Sequence, residues 1–245
     1  MKRALGFDSS KYDLYIHPTE ACEGINFIIL RTGYGMMEDG IFCQSARNID
    51  HLTAAKMVYH YFSSGAKWRE QIERHLEICD KAPWVPAFHW IDFESAYNEM
   101  GMQFAEECVQ AIEYLIKWHK KAGVYTNLNL YNHYFGPTAG ETQYPLWLSW
   151  PIDAWSKQPD IHKYRPILPN MRDDWDIWQY SYRGDGTIYG AGRNYAFDLN
   201  VYHGTPAEMA AWLQVDDQEQ PKDDFKKGYD NAICKMQIFL NSIKV

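Results

Sequence analysis

The sequence predicts a single α/β barrel followed by a short C-terminal extension. The chain has 245 residues, a length that is common for one α/β barrel. Short strand-like runs alternate with helical stretches, which favours a mainly parallel sheet with crossover helices. No run approaches the roughly 18 apolar residues that a membrane-spanning helix requires.

Eight candidate strands occur in order along the chain. Each is a short run rich in apolar, aromatic and β-branched residues. The runs cover residues 4–8, 27–32, 57–62, 85–94, 123–126, 145–150, 175–181 and 195–202. Eight strands in this order predict a closed barrel.

Helices are predicted between the earlier strands. They cover residues 44–56, 66–81, 100–122 and, as a short piece, 129–135. In the third helix, apolar residues recur every three or four positions, so we expect that face to pack on the barrel. The connections beyond the sixth strand are rich in Pro, Gly and Asp, so we expect loops and hairpins there and about five helices in total.

The chain ends in a segment that differs from the barrel. A short helix through residue 213 closes the barrel domain, which we assign to residues 1–213. Residues 214–224 are polar and acidic and predict a linker. Residues 225–245 carry an amphipathic helical pattern. Three arrangements are open for it: docking on its own barrel, self-association or binding of a partner helix, and a disordered tail.

Composition and charge exclude several classes of function. The formal net charge is −8, which disfavours nucleic acid as a partner. The five cysteines are scattered without a Cys-x-x-Cys pair, so neither a disulfide framework nor a zinc knuckle is predicted. The aromatic content of 16 % exceeds what a core needs and points to a ring-shaped ligand.

Acidic residues fall at the ends of three predicted strands. Asp8 ends the first strand, Asp92 and Glu94 end the fourth, and Asp198 lies in the last. The carboxyl ends of barrel strands converge on one mouth, so we expect these side chains to lie together. Crowding would raise the pKa of at least one carboxyl, which can then act as a general acid while another stays ionised. The alternatives are ion pairs with Arg31 or lysines, and capping of the following helix.

Aromatic and amide side chains near the same strand ends are candidates for sugar binding. Tyrosine and tryptophan combine an apolar ring with a polar group, which suits the faces of a sugar. The candidates are Tyr61, Tyr125, Trp147, Trp178 and Gln179. The alternative for each aromatic ring is packing in the core.

Other chemistries find less support in the sequence. Histidines on neighbouring strands could join the acids at a divalent ion, but they lack paired spacing, so no metal and no other cofactor is predicted. Gly33-Tyr34-Gly35 lacks the third glycine of a dinucleotide fingerprint, and the chain has no P-loop. Ser9 and Ser10 lack the glycine context of a serine nucleophile.

Together, the motifs resemble the family 25 glycoside hydrolases, the lysozymes that act as N-acetylmuramidases on bacterial cell walls and include many phage endolysins. The resemblance runs in order over residues 4 to about 204. It rests on Gly6-Phe7-Asp8-Ser9-Ser10, Tyr59-His60-Tyr61-Phe62, Ile91-Asp92-Phe93-Glu94, Tyr125-Thr126, Pro145-Leu146-Trp147, Trp175-Asp176-Ile177-Trp178-Gln179-Tyr180-Ser181 and Phe197-Asp198-Leu199-Asn200. Lys11-Tyr12-Asp13 and Leu30-Arg31-Thr32-Gly33 depart from the family pattern.

The resemblance implies an irregular TIM-like (β/α)5(β)3 barrel without a metal or other cofactor. It implies hydrolysis of the β-1,4 bond between N-acetylmuramic acid and N-acetylglucosamine in peptidoglycan. Glu94 would be the general acid, and Asp92 would orient and polarise the substrate N-acetyl group or stabilise developing positive charge. Asp8 and Asp198 would complete an acidic floor. Net retention assisted by the N-acetyl group is expected, and a carboxylate nucleophile stays open.

Two further expectations follow from the same resemblance. The apolar stretch near the N-terminus is too short for a signal peptide, so the protein would be made in the cytoplasm and reach the cell wall through phage lysis or dedicated export. The rival hypothesis is a catalytically silent barrel that binds glycan or forms part of a phage tail or secretion machine.

Overall fold

The fold is seen in a computed structural model that describes residues 2–13, 16, 24–94, 101–153, 160–189 and 196–214. The barrel forms one compact unit that ends at Leu213. The predicted linker and C-terminal helix lie outside the described residues from position 215 onward, and they stay predictions.

The described part of the chain contains nine strands in one sheet. They are β1 (Leu5–Ser9), β2 (Phe27–Tyr34), β3 (Met37–Glu38), β4 (Ala55–Tyr61), β5 (His89–Asp92), β6 (Ala122–Asn127), β7 (Leu146–Ser149), β8 (Ile177–Asp185) and β9 (Ala196–Tyr202). Eight of them close a barrel, because β1 pairs with both β2 and β9. The short β3 adds to the edge of β2. The predicted eight-stranded α/β barrel is therefore confirmed.

The pairing changes direction near the end of the chain. Among the eight strands of the barrel, neighbours are parallel from β1 through β8. The added β3 is antiparallel to β2. The last strand, β9, is antiparallel to both β8 and β1. An antiparallel pair needs no crossover helix, so the barrel can close without one at this seam.

Helices join most of the parallel strands. They are α1 (Phe42–Asn48), α2 (Trp68–Cys79), α3 (Gly101–Lys117), three short helical segments (Leu128–Leu130, Tyr131–Phe135 and Gly136–Ala139), and α4 (Pro206–Gln214) after β9. In the residues that the structure describes between β7 and β9, no α-helix occurs. None of the described helices is both long and apolar enough to cross a bilayer.

The amino end of the barrel is filled by large apolar side chains. Trp90 and Trp147 are almost fully buried inside it, with ring centroids 5.9 Å apart. Helix α4 covers this end, where Trp212 stacks on Phe88 at a centroid distance of 4.9 Å. Met209 of α4 is also buried there. This apolar plug leaves the opposite, carboxyl end of the barrel as the mouth.

Helix α1 is shorter than the sequence predicted. The prediction covered residues 44–56, but the helix ends at Asn48 and β4 begins at Ala55. The side chains of Ala46, Ile49 and Leu52 all enter one core cluster. Their three-residue spacing imitates a helix, although the last two lie in the turn that follows it.

Strand β5 is also shorter than predicted. The apolar run covered residues 85–94, but only His89–Asp92 forms a strand. Val85 is exposed and Pro86 has no N–H to donate to a ladder. The run therefore approaches the barrel as a loop before it joins the sheet.

Candidate active site

The strand register brings the four predicted acids to the mouth of the barrel. Asp8 of β1 lies directly opposite Asp198 of β9. Asp92 is the last residue of β5, and Glu94 follows two positions later, just beyond the strand. The negative charge of Glu94 raises the pKa of both Asp92 and Asp198. The negative charge of Asp8 also raises the pKa of Asp92. The four carboxyls therefore form one electrostatically coupled group.

A network of amides holds Asp8 in place. Its Oδ1 accepts hydrogen bonds from Asn200 Nδ2 at 2.6 Å and from Gln179 Nε2 at 3.0 Å. Gln179 Nε2 also donates to Asp198 Oδ2 at 3.2 Å, so one amide joins two carboxyls. The hydroxyl of Tyr125 donates to Gln179 Oε1 at 2.7 Å and fixes the orientation of that amide.

Trp147 supports this network from inside the barrel. Its Nε1 donates to Asn200 Oδ1 at 2.7 Å, so the Nδ2 of the same amide is turned toward Asp8. The indole ring is 1 % exposed and lies 4.4 Å from the ring of Tyr125 between centroids. Its ring face is thus covered by protein. This is the packing in the core that was the alternative to sugar stacking for each predicted aromatic residue.

Trp178 lies on the opposite face of β8 from the site. Neighbouring residues of a strand point to opposite faces, so the placement of Gln179 at the mouth sends Trp178 outward. There it is 0 % exposed and packs with Ile152, Trp175 and Val201. Its ring is not available at the mouth, contrary to the position expected from the sequence.

Tyr61 occupies the position expected of it at the end of β4. It is the register partner of Asp92 on the neighbouring strand. Its ring lies 4.9 Å from the ring of Tyr34, between centroids, and Tyr34 is exposed. These two tyrosines give the mouth a partly open aromatic edge beside β5.

Burial raises the pKa of all four acids. For Asp8 and Asp92, burial is the largest cause, followed by the negative charges of Asp198 and Glu94 respectively. Burial also raises the pKa of Glu94, although the nearby hydroxyl of Tyr125 offsets part of the effect. The pKa of Asp198 rises to about 7, first through burial and then through neighbouring carboxylates.

Arg31, the cation expected as an alternative partner of these acids, forms a salt bridge with a different carboxylate. Arg31 Nε donates to Asp39 Oδ2 at 2.7 Å in a buried salt bridge. Its charge lowers the pKa of Asp92 without making a salt bridge to it. Asp92 Oδ1 is buried and has no hydrogen-bond partner among the described residues.

Two residues near the acids were not predicted. Asn200 follows Asp198 by two positions, so the two-residue period of a strand would have placed both on one face. Tyr182 follows an irregular register in β8, which strand alternation does not reveal. Its hydroxyl lies 2.6 Å from Ser149 Oγ, and burial and the charge of Glu94 raise its pKa to about 12.

The fold and this site define a class of protein. A protonated carboxyl beside an ionised one is the arrangement that glycoside hydrolases use for acid catalysis. The sequence profile of the glycosyl hydrolases family 25 matches residues 8–187, which is more than half of the chain. The chain belongs to this family and is a glycoside hydrolase, as the motifs predicted. No curated protein is significantly similar to the chain in sequence.

Solved structures share the fold at low sequence identity. A family 25 glycosyl hydrolase from Bacillus anthracis is 20 % identical, with a TM-score of 0.65, and the match covers 86 % of this chain and 93 % of that one. The endolysin catalytic domain from bacteriophage P40 of Listeria monocytogenes is 20 % identical, with a TM-score of 0.67 and coverages of 86 % and 97 %. The lysozyme from Streptomyces coelicolor is 18 % identical, with a TM-score of 0.68 and coverages of 87 % and 98 %.

Proposed function

We propose that the protein is a peptidoglycan hydrolase that cleaves the β-1,4 bond between N-acetylmuramic acid and N-acetylglucosamine. Family membership supports this, and the solved structures with the same fold include a lysozyme and an endolysin. The observation that carries the proposal is the pair of carboxyls at the end of β5, both with a raised pKa and neither in a salt bridge among the described residues.

Glu94 is the general acid in this proposal. It is half-buried, so its carboxyl can reach a substrate in the mouth while burial keeps its pKa raised. A raised pKa increases the protonated fraction of this carboxyl, and the protonated form can donate its proton to the glycosidic oxygen as the bond breaks.

Asp92 is the partner that receives the substrate N-acetyl group. Its Oδ1 is a buried acceptor without a hydrogen-bond partner in the described structure, and such an acceptor is satisfied by a donated N–H. A substrate N–H donated to this oxygen lowers the pKa of Asp92. Because the charges of Asp92 and Glu94 act on each other, an ionised Asp92 would then favour the proton on Glu94.

The remaining residues complete the mouth. Asp8 and Asp198 form its acidic floor, with Gln179 and Tyr125 fixing their geometry through the hydrogen bonds described above. We propose that Tyr61 contacts a sugar ring, because it lies at the end of β4 beside Asp92. Hydrolysis with net retention through the substrate N-acetyl group agrees with an Asp92 that binds the acetamide rather than the anomeric carbon.

The experiment is a digest of purified peptidoglycan followed by borohydride reduction and mass spectrometry. A muramidase leaves reduced muramic acid at the new chain ends, whereas a glucosaminidase leaves reduced glucosamine. The Glu94→Gln variant is the control for contaminating hydrolases. Products that end in reduced glucosamine would contradict the bond assignment, and intact glycan would favour the silent barrel.

A further inference from the structure

A second group of ionisable side chains lies in the wall of the barrel, away from the mouth. His75 and Cys79 lie one turn apart on α2, and His89 is the first residue of β5. Strand alternation points His89 away from the barrel interior that holds Trp90. All three are buried, and one ligand atom from each lies within 4.8 Å of the other two.

The contacts of His75 with Thr32 and His89 form a chain of hydrogen bonds. The hydroxyl of Thr32 donates its one proton to the carbonyl oxygen of Tyr59 at 3.0 Å. Its oxygen lies 2.7 Å from His75 Nδ1, and with the hydroxyl proton directed to Tyr59 this oxygen accepts the proton on that nitrogen. In this tautomer His75 Nε2 has a lone pair, which faces His89 Nδ1.

The three side chains meet around the ring of His75. His89 Nδ1 lies 2.9 Å from His75 Nε2, whereas Cys79 Sγ lies 3.8 Å from Nε2 and 3.9 Å from Nδ1 of the same ring. His89 Nε2 is buried and has no hydrogen-bond partner among the described residues. The ring proton of His89 can thus move from Nδ1 to Nε2 without breaking a hydrogen bond at Nε2.

We propose that His75, Cys79 and His89 bind one Zn²⁺ ion. Two imidazole nitrogens and a thiolate sulfur are zinc ligands, whereas calcium and magnesium prefer oxygen. The contact between Thr32 and His75 has the form of the outer hydrogen bond that orients a metal-binding histidine. Within the described residues the site provides three ligands, and water would complete a tetrahedral zinc.

The distances require only a small adjustment. Zinc bonds of about 2.0–2.1 Å to nitrogen and about 2.3 Å to sulfur place two nitrogens about 3.3 Å apart, and nitrogen and sulfur about 3.6 Å apart. The observed separations are 2.9 Å and 3.8 Å. Each therefore differs from the zinc geometry by less than about 0.5 Å. Because Cys79 Sγ is almost equidistant from the two ring nitrogens of His75, zinc binding also requires rotation of the Cys79 side chain toward the Nε2 lone pair.

Every proton that zinc binding would displace can be accounted for. Burial lowers the pKa of both His75 and His89, so both rings are neutral and available as ligands. Burial raises the pKa of the Cys79 thiol, so zinc must displace that proton to solvent. One proton leaves Cys79, and the proton of His89 moves to Nε2. Binding would connect α2 to β5, the strand that carries Asp92, and would stabilise the wall behind the mouth without entering it.

The test is the zinc content of the full-length protein. The protein is expressed in zinc-supplemented medium, because a buried site loads during folding, and purified with a thiol reductant. After dialysis we expect about one zinc per chain, because three ligands converge on one ion. Cys79→Ala should retain less by a factor of about ten or more. Cys108→Ala is the matched control, because Cys108 is buried on α3 outside this group.

Two further measurements separate this site from adventitious binding. Cobalt substitution should give thiolate-to-cobalt charge-transfer absorption in the parent and in Cys108→Ala, but not in Cys79→Ala. Thr32→Val should weaken zinc binding about 10–100-fold while the ligands stay in place, and it also serves if Cys79→Ala does not fold. Zinc content well below one per chain in the parent, or equal zinc in the parent and Cys79→Ala, would overturn the proposal.

Discussion

The two ends of the barrel are built from the same strands but have opposite chemical character, since one is apolar and the other acidic. On β5, Trp90 and Asp92 lie two positions apart on the same face. Trp90 is buried in the apolar plug that α4 covers, whereas Asp92 belongs to the acidic mouth. The plug stabilises the fold through apolar burial. The mouth gathers carboxyls whose ionised forms are disfavoured, so it lowers the stability of the fold while it provides groups for catalysis.

The largest expected effect comes from removing the proton donor at the mouth. Glu94→Gln keeps the shape of the side chain but cannot donate a proton, so turnover on peptidoglycan should fall by about 10²- to 10⁴-fold. Release of soluble muropeptides measures this, and a thermal melt checks the fold. Turnover within threefold of the parent would remove Glu94 from the role.

The apolar end should show the converse behaviour. Trp212→Ala removes a ring that stacks on Phe88 and packs near Trp90, so the free energy of unfolding should fall by about 2–4 kcal/mol. Below the melting temperature, activity per folded molecule should match the parent, because no part of the mouth changes. A loss of turnover without a loss of stability would show that the two ends are not separable.

A matched pair of tryptophan substitutions tests whether Trp147 belongs to the apolar end alone or also supports the mouth. Trp147 donates to Asn200, whereas Trp90 Nε1 is buried without a partner in the described structure. Replacement of either by Phe leaves a similar cavity. Trp147→Phe also removes the partner of Asn200, so it should cost about 1–3 kcal/mol more stability than Trp90→Phe.

The same pair should differ in activity. Asn200 positions Asp8, so Trp147→Phe should lower turnover while Trp90→Phe should not. Denaturant unfolding and muropeptide release measure the two effects. Equal behaviour of the two variants would mean that Trp147 acts only through packing.

The smallest expected effect concerns the loss of fold stability that ionised carboxyls at the mouth cause. The pKa of Asp198 is raised to about 7 from an ordinary value of 3.8, so the ionised form destabilises the fold. The parent should therefore lose stability as the pH rises from about 4 through 7. Asp198→Asn removes this loss and should therefore melt at a higher temperature than the parent above pH 7.

Melting curves of both proteins between pH 4 and pH 8 test this expectation. The advantage of Asp198→Asn should shrink toward pH 4, where the parent carboxyl is protonated. An advantage that stays constant with pH would show that the amide stabilises the fold by another route.

The sequence predicted the parts of this protein that depend on local pattern. The alternation of strands and helices was sufficient for the barrel. The position of Asp8, Asp92 and Glu94 at strand ends was sufficient for an acidic mouth, because strand ends converge in such a barrel. The errors at α1 and β5 arose where apolar residues are buried without continuing a helix or strand.

The tertiary structure decided which side chains meet. Only the register between β1, β8 and β9 placed Asn200 and Gln179 on Asp8, and only the orientation of β8 turned Trp178 away from the mouth. The packing of α2 against β5 brought Cys79 and His75 to His89. The physical reason is that periodicity along a chain fixes the face of a residue within its own element. Contacts between elements depend on how distant segments pack, which local pattern does not contain.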